Sequence, residues 1–500
     1  MPSVATPPLL YADRSSSLVL NVWVPANANP NSKLPVRVWL YGGANTGGGI
    51  SNPLYDGCFA SKTTLQVSVN YRLGPLGFLA TNDVGLTGNY GLQDQLLALR
   101  WVQANIAAFG GDPTRVLLFG QSAGATDAWA ISTLPQARGL LSAAVLQSTV
   151  PSLLPDLAAA TTANAAFLSA LRCTTLACLR AAPLYTVRAA AAAAALRASA
   201  APGLGLVVDG AVVPAQPLDV ALRVPAVVGT NTNEGSLFIV AALRLGAFEL
   251  REAAYETFLN LTFADAAVRA AVRARYPWAR FAGAPGNQAV AAMAAVGTDQ
   301  RFRCPARRVL ARAAAEGVRV WTYSFALTPS CPWEPRVPAL PAVLAILGAT
   351  HSAELAYVFG EVEGLPRPDG NCTFSAGDKA VSAAMVGAWD SMAASGEPGG
   401  GWPVYDVGGS MGVNMVNGTF AAGKVDYSMC DFWDSIEGQT TTGATGTGTG
   451  SGPARTSSGT PAATSPNVAR AKHGVSSTGA SVVGVAWLMS LLLSGTWAIT

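Results

Sequence analysis

RVLLFGQSAGATDAWAISTLP, residues 115–135, sets an apolar run against a glycine-framed serine and a helical run closed by proline. The run Val116 to Phe119 has no polar alternation, which is what a strand covered on both faces requires. Gly120-Gln121-Ser122-Ala123-Gly124 then gives a sharp turn built from small residues, and the segment after it has a helical composition up to Pro135. A strand entering a tight turn that opens a helix is the context in which Gly-x-Ser-x-Gly exposes a nucleophilic serine. The bare pattern is weak, because 52 Gly in 500 residues produce roughly 0.4 chance matches. A second match, Gly408-Gly409-Ser410-Met411-Gly412, lies in a glycine-rich, hairpin-like stretch with no helix after it. Ser122 is therefore the candidate nucleophile and Ser410 a decoy.

Outward from this stretch, Val36 to Tyr41, Leu65 to Asn70, Ala143 to Gln147 and Pro225 to Gly229 also read as buried strands. Helical patterns separate them, most clearly Leu92 to Phe109, which Gly110 and Gly111 end. Strands alternating with helices predict an α/β fold with a mostly parallel central sheet and helices on both faces.

A hydroxyl needs a base to become a nucleophile, and the base needs an acid to orient it. The chain has two histidines. His473 lies in a Ser/Thr/Gly/Pro-rich segment that cannot hold it in place, which leaves His351. Glu234, at the carboxyl end of a buried strand and between serine and histidine in chain order, is the candidate acid; a solvated turn carboxylate is the alternative. The glycine-rich loop Tyr41 to Gly49 lets backbone N–H groups approach an oxyanion. It lacks the Gly-Lys-Ser/Thr of a phosphate loop, while a plain flexible turn is a further alternative.

Composition narrows the function classes. The net charge of +3 from 32 Lys+Arg and 29 Asp+Glu gives no electrostatic reason to expect nucleic acid. Half of the residues are hydrophobic and the mean hydropathy is +0.31, yet only one uncharged apolar stretch approaches the ~20 residues of a membrane span. Seven cysteines without a Cys-x-x-Cys pair and only two histidines argue against a structural zinc site. The chain divides into a globular part (1–437), a stalk too poor in apolar residues to fold (438–480) and an apolar tail (481–500). The tail reads as a glycolipid-anchor signal, with Ser465 or Asn467 as attachment site and a polar spacer. A membrane span or a buried helix are the competing readings. Sequons at Asn260, Asn371 and Asn417 agree with passage through the secretory route, although the first residues carry no entry signal.

FGGDPTRVLLFGQSAG (109–124) matches the serine signature of the type-B carboxylesterase/lipase family. LNVWVP, VSVNYRLGPLGFLA, GNYGLQDQLLALRWVQANIAAFGGDP, VVDG, GTNTNEG, HSAELAYVFG and the stretch from Trp389 to Pro398 follow in that family's order. The resemblance runs from about Leu18 to Trp433. It implies an α/β-hydrolase fold, a serine esterase acting on small ester substrates without metal or cofactor, and a triad of Ser122, Glu234 and His351. The oxyanion donors it implies are the backbone N–H groups of Gly43, Ala44 and Ala123, with Gln121 and Glu354 as supporting residues. It also pairs Cys173 with Cys178 and Cys304 with Cys430. Cys331 and Cys372 pair only by elimination, leaving Cys58 unpaired. Some relatives are non-catalytic surface adhesion modules, but those typically lose triad residues.

Three departures matter. Ala44 replaces the family's third oxyanion glycine, and Gln121 replaces the usual Glu before the nucleophile. The N-terminal region is shorter than the family's, which reads as truncated and accounts for an anchor signal without an entry signal. Cholinesterases carry an aromatic after the acid-Gly-Ser; Leu237 then Phe238 stand here, which disfavours choline esters and fits simple acyl or lipid esters.

Overall fold

The computed structural model describes residues 18–197, 204–334, 337–338, 340–363, 372–416 and 418–438. The apolar tail, His473, Asn371 and Asn417 lie outside the described residues.

Among the described residues, nine strands form one sheet: β1 Leu20–Trp23, β2 Leu34–Leu40, β3 Leu65–Val69, β4 Gly111–Gln121, β5 Ala143–Gln147, β6 Ala226–Asn231, β7 Val320–Phe325, β8 Met411–Val416 and β9 Thr419–Lys424. Their spatial order is β1-β3-β2-β4-β5-β6-β7-β8-β9. Every pairing from β3 to β8 is parallel, and the edge strands β1 and β9 run antiparallel to their neighbours. The fold is the α/β-hydrolase type expected from the sequence. Every residue of β3, β5, β6 and β7 is buried, odd and even positions alike. Both faces of the central sheet are thus covered, which explains the absence of polar alternation.

The helices that matter for the site are α1 Tyr90–Asn105, α2 Ala123–Thr133, α3 Glu234–Leu243, α4 Gln288–Thr298, α5 Cys304–Ala315 and α6 Ala376–Ser395. The helix expected to run to Phe109 stops at Asn105. A tighter 3-10 turn, Ile106–Phe109, finishes it, and Gly110 adopts φ 86°. The chain then enters β4 directly, five residues before the apolar run begins. Ser410 precedes β8 and no helix follows it, since β8 turns into β9. Disulfides join Cys173–Cys178, Cys304–Cys430 and Cys331–Cys372, and Cys58 is a free, exposed thiol. Among the described residues no helix is long and apolar enough to cross a membrane. Asn260 lies exposed near the end of helix Glu252–Thr262.

Candidate active site

The site gathers at the carboxyl ends of parallel strands, where crossover loops diverge and leave a crevice. Ser122 follows β4, Glu234 stands three positions after the end of β6, and the loop 42–49 follows β2. Leu40 pairs with Gly120 in the sheet, so the loop after β2 runs alongside the Ser122 turn.

Ser122 takes φ 57° and ψ −125°, a conformation L residues rarely adopt, costing of order 1–3 kcal/mol. The neighbouring glycines make it feasible. A Cβ on Gly120 would stand 2.5 Å from the carbonyl of Gly124, and one on Gly124 would stand 2.1 Å from the Leu40 carbonyl oxygen. The turn is held from outside: the Ser122 N–H donates to the Gln147 carbonyl at 2.9 Å, and the Ser122 carbonyl accepts from Thr126 N–H at 2.9 Å.

His351 Nδ1 and Glu234 Oε2 lie 2.6 Å apart, both side chains buried. The other oxygen, Oε1, accepts the N–H of Asn231 at 2.8 Å. A carboxylate only accepts, so Nδ1 carries the proton and Nε2 is left as the basic nitrogen. The histidine loop is stitched to the glutamate turn. Asn233 and Thr350 form a parallel bridge, and the Thr350 hydroxyl accepts from Leu237 N–H at 2.8 Å.

The structure shows no hydrogen bond between Ser122 Oγ and His351. Gln121 links the two regions instead. Its Nε2 is 3.1 Å from Nε2 and 3.4 Å from Nδ1 of His351. A donor in the ring plane could not sit so evenly between both nitrogens without colliding with Cε1. The carboxamide therefore rests over the ring face. Phe238 and Phe302 also pack on the imidazole, with ring centroids 5.1 and 5.0 Å away. Phe302 is presented by a π-helical turn, Asp299–Arg303, between α4 and α5, the kind of helix irregularity often found at functional sites.

Behind Glu234 and His351, Glu354 is fully buried and accepts from Gln147 Nε2 at 3.2 Å and from Asn231 Nδ2 at 2.6 Å. Gln147 in turn accepts from the Trp389 indole at 3.0 Å. Burial, and then the charge of Glu234, push the Glu354 carboxyl from 4.5 up to about 7. The native state thus binds this proton more readily than the unfolded chain, so stability falls as pH rises from about 4.5 to about 7. The full effect is about 3 kcal/mol. Urea unfolding at pH 5 and pH 8 should therefore show a flatter pH dependence in Glu354→Gln than in the parent; equal slopes would contradict this account. Gln147 and Asn231 were not singled out from sequence as site residues. Their only signal is a polar residue closing an otherwise apolar strand.

In the loop after β2, Gly43 has φ 119°, and Ala44 and Asn45 have φ 52° and 57°. Ala44 thus stands in the left-handed region, where glycine would be unstrained. A Cβ on Gly42 would meet the Gln121 carbonyl oxygen at 2.8 Å and Ser122 Cβ at 2.9 Å, so this loop lies directly against Ser122. Among the described residues, the N–H groups of Gly43, Ala44 and Ala123 have no backbone acceptor. Ala44→Gly should stabilise the protein by about 1 kcal/mol by removing the left-handed penalty. A higher urea midpoint with an unchanged slope would show it; a lower midpoint would contradict it.

The family model for the carboxylesterase family matches residues 10–433. The chain belongs to the carboxylesterase family. It is 31% identical over 416 residues to bile salt-activated lipase of Rattus norvegicus, covering 76% of this chain and 65% of that protein. It is 32% identical over 422 residues to cocaine esterase of Homo sapiens, covering 78% and 70%. Para-nitrobenzyl esterase of Bacillus subtilis is 32% identical over 408 residues, covering 78% and 76%. The matched stretch spans only 54% of the human bile salt-activated lipase, so this carboxylesterase relative corresponds to part of some of the proteins it resembles.

Proposed function

We propose that this chain hydrolyses carboxylic esters through an acyl-enzyme on Ser122. The observation that carries the reading is the buried 2.6 Å pair of His351 Nδ1 and Glu234 beside a strained serine turn at the end of a central strand. Membership of the carboxylesterase family supports it, as do relatives named as lipase, cocaine esterase and para-nitrobenzyl esterase.

In this mechanism His351 Nε2 removes the proton from Ser122 Oγ as the hydroxyl attacks the ester carbonyl. Glu234 fixes the tautomer and stabilises the imidazolium. The oxyanion forms against the N–H groups of Gly43, Ala44 and Ala123, preorganised donors that strengthen only as charge develops. His351 returns the proton to the departing alcohol, and water then repeats the sequence on the acyl-enzyme. Leu237 stands where cholinesterases carry the aromatic that holds choline, and the neutral Gln121 amide lies against the base, which favours neutral acyl or lipid esters over choline esters. Three disulfides fit an oxidising compartment. Together with the sequons and the apolar tail, they support a glycoprotein displayed at the cell surface on a glycolipid anchor.

The test is hydrolysis of a series of 4-nitrophenyl acyl esters beside a choline ester. The neutral esters should be turned over, and turnover should vanish in Ser122→Ala. A folded chain that hydrolyses none of them, or hydrolyses them equally well without Ser122, would overturn the proposal.

A further inference from the structure

Asp127 lies in α2, five residues after the nucleophile, with its side chain fully buried. Oδ1 accepts from Asn45 Nδ2 at 3.0 Å and Oδ2 accepts from Gln95 Nε2 at 2.6 Å. Asn45 follows Ala44 in the glycine-rich loop, and Gln95 belongs to α1. One carboxylate thus joins the helix that carries Ser122, a second helix and the loop proposed to hold the oxyanion. Among the described residues no cation pairs with it, and burial raises its pKa from 3.8 to about 6.

A buried carboxylate without a cation is costly and persists where it has a role. The backbone supplies one. Ala44 and Asn45 are consecutive residues at positive φ, a conformation that persists only where its surroundings enforce it. Backbone bonds enforce part of it: Gly43 carbonyl accepts from Thr46 and Gly47 N–H at 3.0 and 3.1 Å, and Asn45 carbonyl accepts from Gly74 N–H at 2.6 Å. Asn45 is the loop residue whose side chain is anchored across to the nucleophile helix, and Asp127 is its anchor. Among the described residues, Oδ1 of Asn45 and Oε1 of Gln95 have no hydrogen-bond partner, so both amides are committed to the carboxylate through their N–H₂ groups alone.

We propose that Asp127 is a positioning residue for the oxyanion loop, acting through Asn45 to hold the Gly43 and Ala44 N–H groups against Ser122. The inference rests on the acyl-enzyme reading above. It acts at the transition state, because the oxyanion exists only there, and so bears on kcat and little on KM.

Asp127→Leu keeps the side-chain size and removes the acceptor. Its kcat on a 4-nitrophenyl ester should fall by about 10²-fold, comparable with loss of one oxyanion donor, with KM within about threefold of the parent. Asp127→Asn keeps an acceptor for Asn45, and Gln95 can turn its free Oε1 towards the new amide, so kcat should recover most of the loss. Asn45→Ala combined with Asp127→Leu should be no worse than Asp127→Leu alone, because both cut one tether. Amide hydrogen exchange over residues 42–48 should accelerate in Asp127→Leu and return towards the parent rate in Asp127→Asn. Unchanged kcat in a folded Asp127→Leu, losses that multiply in the double variant, or unchanged exchange over 42–48 would each overturn the proposal. If the parent chain hydrolyses no ester, the functional reading fails separately, and the exchange measurement still decides whether the tether holds the loop.

Discussion

Ser122→Ala should lower kcat for ester hydrolysis by on the order of 10⁴-fold or more and leave the fold intact. The Ser122 hydroxyl makes no hydrogen bond within the described residues, while the turn is held by backbone contacts to Gln147 and Thr126 that alanine retains. Loss of Oγ therefore removes the atom proposed to attack the ester at little structural cost. His351→Ala should cost a similar factor, since the nucleophile is then left with its proton. The double variant should be hardly worse than either single one, because the two residues act as a unit. Steady-state kinetics on one ester, with thermal unfolding as the folding check, reads all three variants. A Ser122→Ala protein retaining even a tenth of the parent activity would contradict the assignment, as would strictly multiplying losses.

Gly124→Ala should be the most damaging single methyl group in the site. Its Cβ would lie 2.1 Å from the Leu40 carbonyl oxygen and 2.5 Å from that of Tyr41. Both are main-chain atoms at the end of β2, in the middle of the sheet, so no side chain can swing aside. Either α2 lifts off or β2 shifts, and Ser122 moves in both cases. The expected destabilisation is about 3 kcal/mol, the upper part of the range for overpacking a tight core, together with loss of activity. Gly139→Ala is the control. It has φ 79° but nothing within 4 Å of the added Cβ, so only the backbone penalty of about 1 kcal/mol applies. Equal urea midpoints for the two variants would show that the close approach of α2 and β2 does not constrain the site.

What could be read from the sequence was what depends on neighbouring residues. Val116 to Phe119 announces a buried strand because both faces of β4 are covered, and Gly120 and Gly124 announce the turn because no larger residue fits there. With two histidines, one of them in the Ser/Thr/Gly/Pro-rich segment, His351 is left as the candidate base, and chain order makes Glu234 the candidate acid. The supporting network was not visible in the same way. Asp127 meets Asn45 across 82 positions and Gln95 across 32; Gln147 meets Glu354 across 207. Only the sheet order brings such residues together, and a polar residue in a helix pattern looks the same whether it is solvated or buried. The first stretch of β4, before the apolar run, was also missed. Asp112, Pro113, Thr114 and Arg115 carry no strand pattern, and the ladder to β2 is irregular there. The consequence of Ala44 needed the backbone angle itself.

The most direct test of the account is labelling of the purified, folded chain with a fluorophosphonate probe, followed by mass spectrometry to locate the adduct. The account predicts a single adduct on Ser122 that disappears in His351→Ala and is strongly slowed in Glu234→Gln. An adduct on Ser410, or no adduct at all on a chain that unfolds cooperatively, would contradict it.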